Sequence, residues 1–321
     1  MRRLNKRTVG LVFIFLIGLS ILLYPVVSST WNQIIANMII NKYDVTVANQ
    51  DPQQLKDMID RAREYNEKLL PKAVPDAFSI RDNVSDLEYE SVLGLTADGL
   101  MGYIEIPVID VSSPIYHYTT EEVLQKGVGH LFGSSMPVGG TGSHAVLSAH
   151  RGLPNNKLFS DLDKVVVGDR FYIKSCGEIF AYEVDKIDIV EPDQTEGLAL
   201  FPDKDYVTLV TCTPYGVNTH RILCRGTRVA YEPGEEEKTK TRRWVNMNIL
   251  TGFAGALFGI LLALIMTIKM KKSRDKEVAN KSLSSGIESA ASGSDGEIEQ
   301  AEQGNQKRKR TGRRFKRKKN Q

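Results

Sequence analysis

Cys212 closes an apolar, β-branched run, Tyr206-Val207-Thr208-Leu209-Val210-Thr211, and the turn-like Thr213-Pro214-Tyr215-Gly216 follows it. A cysteine at the end of a strand is presented rather than buried, and a thiol so placed can serve as a nucleophile in acyl transfer. The competing reading is a small apolar core residue, the commonest fate of a free cysteine. Cys176, in the hairpin-like turn Lys174-Ser175-Cys176-Gly177, and Cys224, inside a strand pattern, both read as structural. The chain has three cysteines and no C-x-x-C spacing, so neither a disulfide framework nor a zinc site is indicated. A Cys212–Cys224 disulfide is compatible with the spacing and would remove the nucleophile. No metal and no cofactor is expected.

A reactive thiol needs a partner that takes its proton or stabilises its thiolate, and histidine is the usual choice. The candidates are His117, His130, His144, His150 and His220. Each taken alone reads as a surface or hydrogen-bonded structural histidine. His150 differs because it too ends a strand-like run, Val146-Leu147-Ser148-Ala149, ahead of the turn Arg151-Gly152-Leu153-Pro154. Acyl transfer also builds negative charge on a carbonyl oxygen, which a fixed guanidinium stabilises through paired N–H donors. Arg221 opens the strand after Cys212, across the short loop Thr213 to His220. Arg225 and Arg228 are rivals, with solvated strand charge as the alternative for all three.

The elements that must position these residues are mostly short strands. Tyr103-Ile104-Glu105-Ile106 alternates, and Pro107 suggests an edge or a kink. Further strands are expected at Ala145 to Ser148, Arg170 to Lys174, Phe180 to Ile189, Tyr206 to Thr211 and Arg221 to Ala230, with short helices at Thr119 to Lys126 and Leu158 to Leu162. Such a pattern favours a barrel or sandwich over a parallel sheet. Upstream, Asp51 to Leu70 reads as a helix capped by Asp51, started by Pro52 and ended by Pro71 and Pro75. Residues 74 to 99 are polar and irregular, with a short element expected near Leu87 to Leu95.

Two uncharged stretches of twenty residues, Thr8 to Val27 and Ile249 to Ile268, are each long enough to cross a hydrocarbon layer about 30 Å thick. Arg2, Arg3, Lys6 and Arg7 precede the first, while Lys269, Lys271, Lys272 and Arg274 follow the second. Positive flanks stay cytoplasmic, which puts both termini inside and the intervening part outside, although Arg242 and Arg243 count against the rule. The first stretch also has features of a cleavable signal peptide, but its length favours an uncleaved anchor. Gly255 and Gly259 form a GxxxG that can bring helices together.

Charge is concentrated at the C-terminus. Lys307 to Lys319 holds ten Lys or Arg in thirteen residues, so removing that +10 from the net +3 leaves about −7 for the rest. The basic balance therefore belongs to the tail, and no nucleic-acid partner is expected. Residues 273 to 306, rich in Ser, Gly, Ala and Glu, read as disordered. The basic run suits the anionic inner leaflet, at about 1 kcal/mol per residue near the surface.

At these motifs the chain resembles the sortases. Thr208-Leu209-Val210-Thr211-Cys212 is similar to the family's TLxTC signature, Arg221 to its catalytic arginine, and His150 in Leu147-Ser148-Ala149-His150-Arg151-Gly152 to its catalytic histidine. The longer strings Cys212 to Arg228 and Gly102 to His117 resemble the class C, pilus-assembling branch, and the likeness spans roughly residues 35 to 265. The resemblance implies a closed β-barrel of about eight strands with short helices, a helical arm and a transmembrane helix at each end. It also implies cleavage of an LPXTG-like sorting signal between Thr and Gly, a thioester on Cys212, proton shuttling by His150, oxyanion stabilisation by Arg221 and release by a pilin lysine. Class C members carry an Asp-Pro-aromatic lid, and the matching position is Val74-Pro75-Asp76-Ala77-Phe78. By that likeness Asp76 would pair with Arg221 and Phe78 would lie against Cys212. Ala77 stands where the pattern has proline, which bears on the stiffness of the lid.

The expected organisation is a basic start (1–7), an anchor (8–27), a helical arm with lid (28–99), the catalytic barrel (100–233), a linker (234–248), a second span (249–268) and a basic tail (269–321). Two other readings stay open. One is a sortase that attaches surface proteins to peptidoglycan; the other is a non-catalytic two-span protein that binds or scaffolds.

Overall fold

Asp51 starts the helical arm as its sequence predicts. Its carboxylate accepts from Gln53 N at 3.0 Å, Pro52 fills the first turn, and Leu55, Ile59 and Ala62 recur on one buried stripe of α2 (Pro52–Lys68). The computed structural model describes residues 6–69, 75–78, 85–96 and 98–234, with Lys269 and Val278 as isolated residues. The chain forms two units, Met1–Arg243 and Trp244–Gln321, and every element below belongs to the first.

Ahead of α2, a single helix α1 (Lys6–Ala48) runs well past residue 27, where the sequence analysis ended the apolar stretch. The extension is amphipathic. Ile40 and Tyr43 are buried, and the Tyr43 hydroxyl donates to Met101 O at 3.2 Å while accepting from Cys176 N at 2.9 Å. Polar residues between the buried ones hid this stripe from a search for uninterrupted apolar runs. Residues 8–27 lie within α1, but the side chains of 6–13, 15, 16 and 26 are outside the described set. Among the described residues, no helix is long and apolar enough to cross a membrane. The second expected span, 249–268, and the basic tail fall outside the described residues.

The rest of the unit is a closed barrel. Its strands are β1 (Leu100–Ile106), β2 (Val111–His117), β3 (Val128–His130), β4 (Ser143–Ser148), β5 (Arg170–Ser175), β6 (Glu178–Val190), β7 (Asp205–Thr213) and β8 (His220–Val229), hydrogen-bonded in the order β1-β2-β3-β4-β7-β8-β6-β5. β5 returns to β1 and closes the ring, so no edge is left open. The short helices α3 (Leu87–Ser91) and α4 (Glu121–Lys126) stand outside it, each capped at its start by Asp86 or Thr120.

Three local features depart from expectation. β2 contains Pro114, and β3 is three residues long, preceded by Gly127 and containing Gly129, so neither carried a strand signal. Leu158 to Leu162 is not a helix. Leu158 adopts a positive φ of 37°, which breaks helical geometry, and only a 3-10 turn, Leu162–Lys164, forms there.

Alternation along the strands separates two apolar clusters. Ile104, Ile173, Phe180, Val207, Leu209 and Cys224 fill the main core. Val146, Val210 and Leu223 face the other way and are covered by Leu198, Ala77 and the partly buried Phe78. That second face carries the functional candidates. At the β1–β5 seam, Gly102 has φ 153°, and a Cβ there would run into the Lys174 carbonyl. Gly102→Ala is expected to destabilise the barrel by about 3 kcal/mol, the upper range for overpacking. An unchanged urea midpoint would show that the seam has slack.

Candidate active site

β7 and β8 are antiparallel with Cys212 directly opposite Arg221, so their side chains share a face. β4 and β7 are parallel with Ser148 opposite Val210, and two residues further along each chain lie His150 and Cys212. Ala149 N donates to Val210 O at 3.2 Å, and Thr211 Oγ1 donates to Ala149 O at 2.8 Å, so the two chains stay joined beyond β4. Period-2 alternation then sets His150, Cys212 and Arg221 on the same side as Val146, Val210 and Leu223. Residues from three strand ends are thus brought to one end of one sheet face.

Cys212 is buried, at 8% exposure, and free, as are Cys176 and Cys224. A Cys212–Cys224 disulfide is absent, since Cys224 faces the main core while Cys212 faces the other way. Burial pushes the Cys212 thiol above its ordinary range; Arg221 pulls it down and Asp76 pushes it up. Cys224, deeper in the wall, is driven up to about 12 by burial first and by Asp169 and Asp185 next.

Arg221 is engaged on all sides. Nε and Nη2 each donate to an oxygen of Asp76 at 2.9 Å, and Nη1 donates to the carbonyls of Asn218 and His220 at 3.2 Å. Phe78 lies between the other two candidates, its ring centroid 5.0 Å from the Arg221 guanidinium and 5.9 Å from the His150 ring. Ala77 is packed into the apolar cluster beneath. Segment 75–78 therefore covers the cation and the histidine together.

The histidines divide by their partners. His130 is enclosed by Tyr89 and Ser135, and burial lowers it to about 4. His144 bridges Ala199 O and Thr208 Oγ1, and burial lowers it too. His117 lies between the carbonyls of Gly99 and Val92, and His220 contacts Thr219 Oγ1. His150 alone joins the thiol's face and meets a carboxylate, with Nε2 at 3.2 Å from Glu121 Oε2. Glu121 is held below the usual carboxylate range, first by the Gln125 amide and then by His150. Sequence reasoning missed Glu121, because its link to His150 crosses 29 positions and no local pattern marks it. The rival Arg225 is committed to Asp185 at 2.9 and 2.8 Å, and Arg228 lies over the rings of Phe180 and Tyr182.

Chemically, this is a thiol, an imidazole and a guanidinium on one wall, with a carboxylate occupying the guanidinium. Among the described residues, no cluster of His, Cys, Asp or Glu could hold a metal ion. The arrangement suits nucleophilic acyl transfer, with the cation placed where a carbonyl oxygen would gain charge.

Comparison with known proteins agrees with this chemistry. Residues 104–229 match the sortase domain family. Sortase D of Bacillus subtilis is 30% identical over 166 residues, covering 50% of this chain and 80% of that protein. The crystal structure of Streptococcus pneumoniae sortase C is 41% identical with a TM-score of 0.58, covering 60% of this chain and 97% of that one. Streptococcus agalactiae sortase C1 is 44% identical with a TM-score of 0.57, covering 63% and 100% respectively. The chain belongs to the sortase family.

Proposed function

We propose that this cysteine transpeptidase polymerises pilins at the cell surface, with Cys212, His150 and Arg221 as its catalytic residues. The observation that carries the reading is the direct pairing of Cys212 with Arg221 across β7 and β8, with His150 at the adjoining strand end. Similarity to the pneumococcal sortase C, whose structure is described in terms of pilin substrate specificity, supports the pilus branch over attachment to peptidoglycan.

In the proposed cycle, the Cys212 thiolate attacks the Thr carbonyl carbon of an LPXTG-like signal, and Arg221 holds the oxygen as it becomes an anion. His150 protonates the departing Gly nitrogen as the Thr–Gly bond breaks, leaving a thioester. A pilin lysine amine then attacks the same carbon, its proton passes to His150, and the C–S bond breaks to release an isopeptide-linked product. Arg221 cannot serve the anion while both Asp76 oxygens occupy it. Segment 75–78 is thus a lid, and its displacement precedes acylation.

Anchoring in a membrane belongs to the same proposal, with both termini cytoplasmic and the barrel outside. The exposed apolar residues Ile14, Ile17, Ile21, Leu22, Leu23 and Val27 on α1 support a lipid-facing start. The basic run at 307–319 would then meet the anionic inner leaflet.

Cys212→Ala is expected to lower sorting-peptide cleavage by roughly a thousandfold or more, the scale for loss of a nucleophile. Cys176→Ala and Cys224→Ser should keep the chemistry, and full activity in the Cys212 variant would sink the assignment.

Replacing Asp76 by Asn and Phe78 by Ala should speed alkylation of Cys212 and cleavage of a sorting peptide. The sign follows from the thiol. Burial and Asp76 raise the pH at which the thiol ionises, so removing the Asp76 charge shifts thiolate formation to lower pH, and reaction at neutral pH quickens. A pH–rate profile of alkylation that does not move would mean the segment is a plain linker.

For topology, protease added to intact protoplasts should remove residues between 51 and 228 and spare an epitope placed after Gln321. Loss of that epitope would refute the proposed orientation.

A further inference from the structure

Transpeptidation needs a place for a second substrate while the first remains attached to the thiol. Beside the catalytic face lies a groove of about 430 Å³, walled by the β4–β5 connection, Tyr215 of the β7–β8 loop and Ser29 of α1. Neither Asp76 nor Phe78 lines it, so the contacts that occupy Arg221 leave it open. Its floor is Arg151. This residue directly follows His150, and its Nη1 donates at 3.0 Å to Oγ1 of Thr213, which directly follows Cys212. Arg151 therefore links the groove to the chain that follows each reacting side chain.

We propose that this groove receives the acceptor, a peptide segment carrying a lysine amine, and delivers that amine to the thioester. The assignment rests on the transpeptidase reading above. Three features fit such a ligand. The Arg151 side chain is only 8% exposed, and its buried Nε–H has no hydrogen-bond partner, although Nη2 binds Asp163 at 2.6 Å. A buried unpaired donor costs free energy unless something accepts from it, so a turn of the Arg151 side chain that brings Nε to a backbone carbonyl of the bound peptide would be favourable. Tyr215, 62% exposed, stands over the Arg151 guanidinium at 5.9 Å and, with Leu153 and Pro154, offers apolar surface to the methylene stem of a lysine. Finally, the groove sets three cations, Arg151, Lys157 and Lys164, against two carboxylates, Asp161 and Asp163.

That net positive wall has a chemical consequence. A lysine ammonium, with an ordinary pKa of about 10.4, must lose its proton before it attacks. Neighbouring positive charge favours the neutral amine. The same wall attracts an acceptor whose lysine is flanked by acidic residues. Lys164, at 66% side-chain exposure, is the most exposed of the three cations and can meet such a flank while its Nζ keeps Asp161 at 2.6 Å.

The step balances without a further reactant. The amine nitrogen bonds to the acyl carbon, the carbon–sulfur bond breaks, and the proton leaving nitrogen restores the Cys212 thiol by way of His150. Water arriving instead gives hydrolysis, so the ratio of amide product to hydrolysed product reports occupancy of the groove.

The full-length protein, charged with a sorting peptide, is offered either a glutamate-flanked lysine peptide or hydroxylamine, which is too small to need the groove. Tyr215→Ala should raise the half-saturating concentration of the lysine peptide by about tenfold, the scale of an aromatic anchor. Lys164→Glu should raise it by roughly two- to fivefold, as for an exposed charge pair, and should favour an arginine-flanked lysine peptide over the glutamate-flanked one. Hydroxylamine release of the thioester should stay within twofold of wild type in both. Equal losses with peptide and hydroxylamine, or no change with either, would overturn the inference while the transpeptidase reading stands. Failure of the wild-type protein to form a thioester would instead refute that reading.

Discussion

A slip of one residue between β7 and β8 would turn Cys212 and Arg221 to opposite faces of the barrel wall. Their direct pairing is therefore the constraint on which the site depends. It is held by the burial of β7 on both faces. Val207 and Leu209 fill the main core, while Val210 packs with Val146 and Leu223 under Leu198 and Ala77. Exchanging the two faces would put the polar Thr208, Cys212 and Arg221 into the barrel interior, where the guanidinium would have no compensating partner. The polar and apolar alternation of two strands thus aligns a thiol with a cation, and the closed ring keeps the alignment rigid.

Once Arg221 is on that face, its charge has to be met. At 11% side-chain exposure, an unpaired guanidinium would be costly, and the bidentate contact with Asp76 meets that requirement in the resting protein. An amide or thioester carbonyl oxygen becoming an anion resembles an oxygen of the Asp76 carboxylate in charge. The lid and the transition state therefore compete for the same donors, so the covered site stays stable at rest without becoming permanently closed. Phe78, with the guanidinium over its ring and the His150 ring tilted beside it, adds the apolar part of the cover.

Arg151 does for the strand ends what the β-register does for the strands. It ties the chain just after His150 to the chain just after Cys212, and Asp163 holds it from the other side. Gly152 follows at φ 82°, and a Cβ there would lie 3.0 Å from the Tyr215 ring, so the ring can close over this turn only beside glycine. The catalytic face and the neighbouring groove share this wall, which lets two substrates converge on one acyl carbon from different directions.

Much of this protein was legible in its residues because the relevant signals are local. Asp51-Pro52 marks a helix start, the run Tyr206 to Thr211 marks a strand, and the turn after Cys212 marks the thiol as a residue at a strand end. The mainly β class and the candidates His150, Cys212 and Arg221 follow from such patterns and from the ordered motifs around them. Other features had no local signal. Sequence singled out His150 by its place at a strand end, but it could not show which oxygens and charges from distant strands separate His150 from His130 and His144. Nor could it join Glu121 to His150, set Arg225 aside by its contact with Asp185, or find β3, whose three residues are a strand only because β2 and β4 flank them. Side-chain type and short-range periodicity are written in the chain itself, and they determined the chemistry on offer. Register, ion pairing and burial arise only when remote segments meet, and those alone decided which thiol, which imidazole and which guanidinium face one another.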